Sequence, residues 1–114
     1  MKKNLIALCL IVLALISHAQ LLPTKLEVTV RDGNGNIVQG AAVTLYLTQS
    51  DYEFSENAFQ TEQTDEKGRI IFKNLSPRSY FLDARKGEMN NDGRGIQTSK
   101  LIEKKKNKLT VIIE

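Results

Sequence analysis

Carboxylates are the groups in this sequence that could support catalysis with no other kind of side chain. A hydrolase of the glycosidase type needs two of them at a set separation, one as general acid and one as base or nucleophile. No spacing in the sequence singles out such a pair, so carboxylate hydrolysis stays a third hypothesis behind two kinds of binding function. The candidates are Asp32, Asp51, Glu53, Glu56, Glu62, Asp65, Glu66, Asp83, Glu88 and Asp92.

The first twenty residues are typical of a secretory signal peptide. Lys2 and Lys3 precede an apolar run, and small residues at Ser17 and Ala19 follow it, so we expect cleavage after Ala19. A membrane anchor is the alternative, but the apolar run of about a dozen residues is shorter than the ~20 that a spanning helix needs. We therefore expect a signal peptide over residues 1–19, one domain over residues 20–114, and no transmembrane segment in the mature chain.

The only cysteine and the only histidine, Cys9 and His18, lie in that leader. The mature chain would therefore have neither a thiol nor an imidazole. Ser-His-Asp and Cys-His catalysis could not be built, and a zinc centre with the usual nitrogen and sulfur ligands would be excluded. We expect no enzyme activity, no cofactor and no metal centre, and a stability that rests on the apolar core.

The charge of the mature chain is close to neutral. Of 16 basic residues, Lys2 and Lys3 leave with the leader, so 14 remain against 13 acidic residues. That balance is unlike the basic surface of a nucleic-acid-binding protein, and we expect no nucleic-acid partner. The dense basic run EKKKNK, residues 103–108, is predicted to be a solvated hairpin turn whose lysines discourage pairing at a sheet edge. Attraction to an anionic cell surface is the alternative.

Two turn sequences carry oxygen atoms that could hold calcium. In Asp32–Asn36 the donors alternate, but an EF-hand loop would need glycine in place of Ile37 and glutamate in place of Val43. In NNDGRG, Asn91 and Asp92 could meet an ion in the same way. We favour a plain turn at both places and leave calcium open.

Three aromatic residues crowd the stretch DYEFSENAF between two strand-like segments: Tyr52, Phe54 and Phe59. Exposed rings stack on sugars or anchor a protein partner. The alternative is that they cap the open end of the domain. We take them as candidate contact residues for a glycan or a protein.

Alternation of apolar and polar residues, broken by turn chemistry, runs through the chain after residue 20. In KLEVTVRD, for example, Leu26, Val28 and Val30 share one face, which we expect to be buried. Seven such strands bury their apolar faces best in an all-β, seven-stranded antiparallel Greek-key β-sandwich, with an open barrel as the alternative. The predicted strands span residues 25–32, 37–48, 59–64, 69–74, 79–86, 96–103 and 109–114.

Three apolar residues fall on the wrong side of this alternation: Ile71, Phe81 and Ile112. Either sheet edges are covered there or an outer face is partly apolar. Contiguous exposed apolar area usually marks an interface. We therefore predict that these residues, with the final strand, contact another protein.

The turn and strand residues resemble the carboxypeptidase regulatory-like domain, a transthyretin-like β-sandwich. The resemblance covers almost the whole mature chain and implies a fold more than a function. One departure is Arg78, where the family usually has glycine. The matching motifs are Asp32-x-x-Gly35, Gly40-Ala41-x-Val43, Thr64-Asp65-x-x-Gly68, Phe72-x-Asn74-Leu75-x-Pro77 and Tyr80-x-Leu82.

The resemblance also raises the question of whether this chain has the activities of related sandwich proteins. Hydroxyisourate hydrolases and intradiol dioxygenases have similar sandwiches, but both imply histidines that the mature chain would lack. An isopeptide staple, as in related adhesin sandwiches, would need a lysine on the first strand, a core acid and an asparagine on the last strand. Lys25 is suitably placed, but LTVIIE has no asparagine, so we expect no staple.

The function we expect is that of an exported, non-catalytic structural or interaction module at the cell envelope. Its partner would be another envelope or extracellular protein. The alternative is a small carbohydrate-binding module that uses the aromatic stretch Tyr52–Phe59.

Overall fold

The structure, a computed structural model, describes residues 22–114 and shows seven strands and one short helix. The predicted signal peptide, with Cys9 and His18, lies outside the described residues. No helix within residues 22–114 has the length and apolar character needed to cross a bilayer. The elements are β1 (Lys25–Asp32), β2 (Ala42–Tyr46), α1 (Gln49–Phe54), β3 (Gln60–Gln63), β4 (Arg69–Phe72), β5 (Phe81–Lys86), β6 (Met89–Asn90) and β7 (Lys106–Ile113).

The strands form two sheets, which confirms the predicted all-β sandwich. One sheet has three strands in the order β4-β1-β7, and the other has four in the order β3-β2-β5-β6. All pairs are antiparallel except β1 with β7, which run parallel over eight residues from Lys25↔Lys106 to Asp32↔Ile113. The expectation of a wholly antiparallel sandwich is therefore wrong for this pair. The connection after β6 carries the chain back to the end where β1 starts, so β7 runs in the same direction as β1.

The core lies between the sheets and is built from the predicted inward positions. Each fully buried aliphatic or aromatic side chain contributes about 1.5–3 kcal/mol through loss of apolar surface to water. Leu47 and Leu109, also predicted inward, are only partly buried and pack against the core. The residues predicted to point inward that are buried are Leu26, Val28, Val30, Val43, Leu45, Ile70, Phe72, Tyr80, Leu82, Ala84, Val111 and Ile113. The core also contains Val38, Ala41, Leu75 and Leu101, which the alternation did not assign to it.

The predicted sixth strand is wrong in position. Residues 96–103 form only an isolated antiparallel bridge, Phe81↔Gln97, beside β5, and the sixth strand is the two-residue Met89–Asn90. Leu101 turns into the core from this segment. The predicted hairpin between residues 96–103 and β7 therefore does not form, because the first segment bonds to β5 in the other sheet.

Two aspartate turns have the same geometry, as their sequences predict. Asp32 and Asp65 each accept, through one carboxylate oxygen, the amides two and four residues ahead at 2.8 to 3.0 Å. The bonds from the Arg69 and Lys67 amides hold the pKa of the Asp65 carboxyl below its ordinary value. Gly68 closes its turn at φ 71°, where a Cβ would lie 3.0 Å from the Val30 carbonyl oxygen. Glycine is needed there for both conformation and space.

Candidate functional site

The first part of the aromatic stretch, with Tyr52 and Phe54, belongs to a short helix, α1, instead of the loop that the sequence predicts. The Thr48 hydroxyl caps its start by accepting the Asp51 amide at 3.1 Å. Ser55 ends it in the left-handed region at φ 52°. The helix has no buried residue and contacts β2 and β5. It therefore sets the directions of the Tyr52 and Phe54 rings.

Tyr52 packs against the outer face of the four-stranded sheet. Its ring lies 6.1 Å from that of Tyr46 in an edge-to-face arrangement and 6.3 Å from that of Phe81. Burial, together with the negative charges of Asp92 and Asp83, raises the pKa of the Tyr52 hydroxyl. Phe81, one of the three outward apolar residues, is consequently half-covered by this helix.

The other two candidate rings point elsewhere. Phe59 stacks on the buried Tyr80 with ring centres 5.8 Å apart, and 40% of it stays exposed. Arg78 also approaches Tyr80, 5.8 Å above the ring, and donates to the Leu47 carbonyl at 2.6 Å. Phe54 is 69% exposed and has no aromatic neighbour among the described residues. The three rings therefore form no common platform.

A charged cluster lies next to Tyr52 on the same sheet face. The Arg85 guanidinium donates to both oxygens of Asp83, at 3.0 and 3.1 Å, and to Asp92 at 2.8 Å. Burial raises the pKa of the Asp83 carboxyl, and the nearby Arg85 charge opposes that rise. The Arg85 guanidinium therefore holds both carboxylates in place.

The other two outward apolar residues lie on the three-stranded sheet. Ile71 is 42% exposed on β4 and Ile112 is 37% exposed on β7. Their partners on β1 are Glu27 and Arg31, four residues apart, so the two side chains are separated by about 13 Å along the strands. No helix covers this face within residues 22–114. The structure thus separates Phe81 from Ile71 and Ile112, which the sequence analysis grouped together.

Glu27 lies between these isoleucines and is the one buried carboxylate of residues 22–114. Its Oε1 atom is 3.6 Å from Lys106 Nζ and 4.0 Å from Arg69 Nη1. Both cations are about half exposed. This arrangement compensates the buried charge across three neighbouring strands.

The calcium candidates are occupied by protein groups. Asn91 is fully buried: its Oδ1 accepts the Ala84 amide at 2.9 Å and its Nδ2 donates to the Leu82 carbonyl at 3.1 Å. Asp92 bonds to Arg85, and Asp32 bonds to its own turn. Residues 22–114 contain no group of three or more metal-ligating side chains.

The last strand does contain an asparagine, contrary to the sequence analysis. β7 begins at Lys106, so Asn107 belongs to it, opposite Leu26 and beside Lys25. The Asn107 amide donates to the main-chain carbonyls of Lys25 and Ile102, both at 3.1 Å. No lysine lies opposite Asn107, and Glu27, the one buried acid of residues 22–114, is on the outer face and not in the core. The lysine, acid and asparagine of an isopeptide bond are therefore not brought together.

Sequence reasoning missed a groove beside β7. It has a volume of about 490 Å³ and lies between the start of β7 and residues 98–102. The signal is the alternation of Lys106 and Lys108 with Asn107 and Leu109, which extends the last strand into the run 103–108 that the sequence analysis predicts to be a turn. The run 103–108 is a turn only at Glu103–Lys104, and the strand starts two residues later.

No protein-family model and no curated protein matches the sequence. The carboxypeptidase regulatory-like resemblance therefore stays a prediction. The fold, however, is similar to parts of solved pilus proteins.

A streptococcal ancillary pilin aligns with a TM-score of 0.61 at 18% identity, over 82% of this chain and 32% of that one. BcpA, the major pilin subunit of Bacillus cereus, aligns with a TM-score of 0.51 at 22% identity, over 81% and 30%. The group B streptococcus pilus 2b backbone protein aligns with a TM-score of 0.53 at 18% identity, over 79% and 40%. The chain thus spans roughly a third of the length of these proteins, and at such identities the likeness shows the β-sandwich fold alone.

Proposed function

We propose that this protein is an exported, non-catalytic β-sandwich that works by contact with another protein of the cell envelope or exterior. The observation that carries the proposal is the outer face of the three-stranded sheet, where Ile71 and Ile112 remain exposed, whereas on the opposite face Tyr52 of α1 packs against Phe81. A partner of ordinary size covers about 800 Å² per side, enough to span both isoleucines.

The fold and the charges support this proposal. Solved structures with a similar sandwich include the major pilin subunit of Bacillus cereus and a group B streptococcus pilus backbone protein. The carboxylates with a perturbed pKa, Asp65 and Asp83, are held by turn amides and by Arg85. Export is supported by the signal-peptide pattern of residues 1–19.

The glycan alternative would rest on Phe54 alone. Sugar binding by stacking uses exposed ring faces, and Tyr52 and Phe59 already pack on other aromatic residues. Glycan-array binding by the purified protein that is lost in Phe54→Ala would favour it over a protein partner.

Photo-crosslinking in the native envelope tests the contact proposal. A photoreactive residue placed at position 71 or at position 112 should give adducts with the same protein. The matched control is position 34, on an exposed turn at one end of the sandwich. Absence of a specific adduct at both strand positions, or equal adducts at position 34, would contradict the proposal.

A further inference from the structure

The outer edge of β7 is the longest free strand edge in residues 22–114. β7 pairs on one side with β1 along its whole eight-residue length and is the last strand of its sheet. The other edge strands, β4, β3 and β6, have four, four and two residues. An unpaired edge of this length is a template for another extended chain.

The main-chain groups of β7 show which residues face that edge. In a parallel pair, the N–H and C=O of one residue point to the same side, and the next residue points to the other. The Lys105 carbonyl accepts the Lys25 amide at 2.9 Å, so odd-numbered residues face β1. Glu114 exchanges both of its main-chain bonds with Asn90 of β6, at 3.1 Å each, on the opposite side. Within the described chain, this leaves the edge groups of four residues free for a ligand: Lys106, Lys108, Thr110 and Ile112.

The groove of about 490 Å³ runs beside the first half of this edge. Leu101 and Leu109 line it, and Ile102 stands at its rim with 59% of its surface exposed. The Asn107 side chain accepts the Ile102 amide at 2.9 Å and donates to the Ile102 carbonyl at 3.1 Å. These two bonds hold the far wall in place, so the groove is formed before any partner arrives.

The charge of the groove is of one sign. Lys100, Lys105, Lys106 and Lys108 line it, and no carboxylate does. Lys106 is 3.6 Å from Glu27, whereas the other three lysines form no ion pair with an acid of residues 22–114. A ligand with carboxylates would complement this surface.

We propose that the free edge of β7 binds an extended acidic segment of a partner protein by strand addition. This inference rests on the proposed contact function, and it specifies the kind of sequence that one partner would carry. Residues of the added strand opposite Lys106 and Lys108 lie on the outer face and carry carboxylates. Those opposite Asn107 and Leu109 point into the groove and are apolar, so the segment alternates acidic and apolar residues.

Two other occupants of the edge would be the N-terminal segment of this chain and a second copy of the chain, and neither complements the lysines of the groove. Residues 1–21 of the chain contain no acidic residue. A second copy paired antiparallel over the same edge would set Lys106 opposite Ile112 and Lys108 opposite Thr110, so it would supply no carboxylate to either lysine. An acidic partner supplies these carboxylates.

The probe is the synthetic peptide acetyl-(Glu-Val)4-amide, added to the purified protein. Bound peptide should slow hydrogen exchange at the amides of Lys108, Thr110 and Ile112. Acetyl-(Lys-Val)4-amide should not bind. Absence of binding by the glutamate peptide at millimolar concentration, or protection that falls elsewhere on the protein, would overturn the proposal.

Backbone methylation of the peptide tests strand addition without changing the protein. One peptide is N-methylated at its glutamates and a second at its valines. Only one edge of the added strand bonds to β7, so one methylated peptide must lose binding and the other must retain it. If the added strand is antiparallel to β7, the glutamate amides face β7 and the first peptide loses binding. If it is parallel, the valine amides face β7 and the second peptide loses binding. Equal behaviour of the two peptides would overturn the proposal.

Charge reversal tests the lysines. The double variant Lys100→Glu with Lys108→Glu should weaken binding of the glutamate peptide about tenfold, because like charges then face each other. The control, Lys67→Glu with Lys73→Glu, makes the same change in net charge at exposed positions away from the groove and should weaken binding less than about twofold. Equal losses of peptide binding in the two double variants would show that the groove is not the binding site.

The crosslinking experiment separates this inference from the proposed contact function. Crosslinks at positions 71 and 112 that persist while the peptide fails to bind would refute this inference and leave the contact function standing.

Discussion

The two outer faces of the sandwich differ although both carry apolar residues at positions that the alternation turns outward. On the four-stranded sheet, Phe81 is half-covered by Tyr52 of α1, and an ion-pair cluster around Arg85 lies next to it. On the three-stranded sheet, Ile71 and Ile112 are exposed. A six-residue helix in one connection therefore covers part of one face, whereas no helix within residues 22–114 covers the other.

The largest effect expected from this difference is on stability. Phe81→Ala removes a ring packed against Tyr52 and should lower the free energy of unfolding by about 2 kcal/mol. Ile71→Ala, on the open face, should lower it by only about 0.5 kcal/mol. Urea denaturation of both variants measures the two values, and equal losses would show that the faces do not differ.

The next effect concerns the helix that covers the closed face. Tyr52→Ala removes contacts with two aromatic rings and should cost about 1 kcal/mol. It should also speed hydrogen exchange at the amides of α1. Phe54→Ala on the same helix is the control, because its ring is exposed, and it should change stability by less than about 0.5 kcal/mol. A similar result for both variants would mean that Tyr52 does not hold the helix on the sheet.

A smaller effect should appear in the pH dependence of stability. Burial raises the native pKa of Asp83 above its ordinary value of 3.8, so in the window just above pH 3.8 the native state binds more protons than the unfolded state. The free energy of unfolding then falls as pH rises through that window. Urea midpoints between pH 3.5 and 6 should show this decline reduced in Asp83→Asn; an unchanged decline would assign it to another group.

Only a small effect on stability is expected when both isoleucines of the open face are replaced. Ile71→Thr together with Ile112→Thr keeps β-branched side chains and should change the free energy of unfolding by less than about 1 kcal/mol. The same variant should lose most of its binding to the partner identified by crosslinking. Retained binding in a pull-down with the purified partner would place the contact elsewhere.

Features that depend on neighbouring residues were predictable from the sequence. The turns at Asp32 and Asp65 follow from side chains that bond to amides two and four residues ahead. The inward positions follow from alternation along single strands, as with Leu26, Val28 and Val30. The sandwich follows from these because two apolar-faced sheets exclude water best when packed together.

Features that depend on distant residues were not predictable. The parallel pairing of β1 with β7 and the bonding of residues 96–98 to β5 both depend on which remote segment lies alongside. The alternation of apolar and polar residues along a strand is the same whichever segment pairs with it, so it does not identify the neighbour. The groove beside β7 was missed for the same reason, since its walls are separated from Leu26 by more than seventy residues.

By itself, the sequence determined the strand-forming character of the chain, its two aspartate turns and the core residues of its alternating strands, because each of these depends on local backbone and side-chain chemistry. Only the tertiary structure decided that Phe81 is covered while Ile71 and Ile112 are open, and that β7 presents a lysine-lined edge. Exposure is a property of what packs nearby, and packing is settled by contacts between segments that lie far apart in the chain.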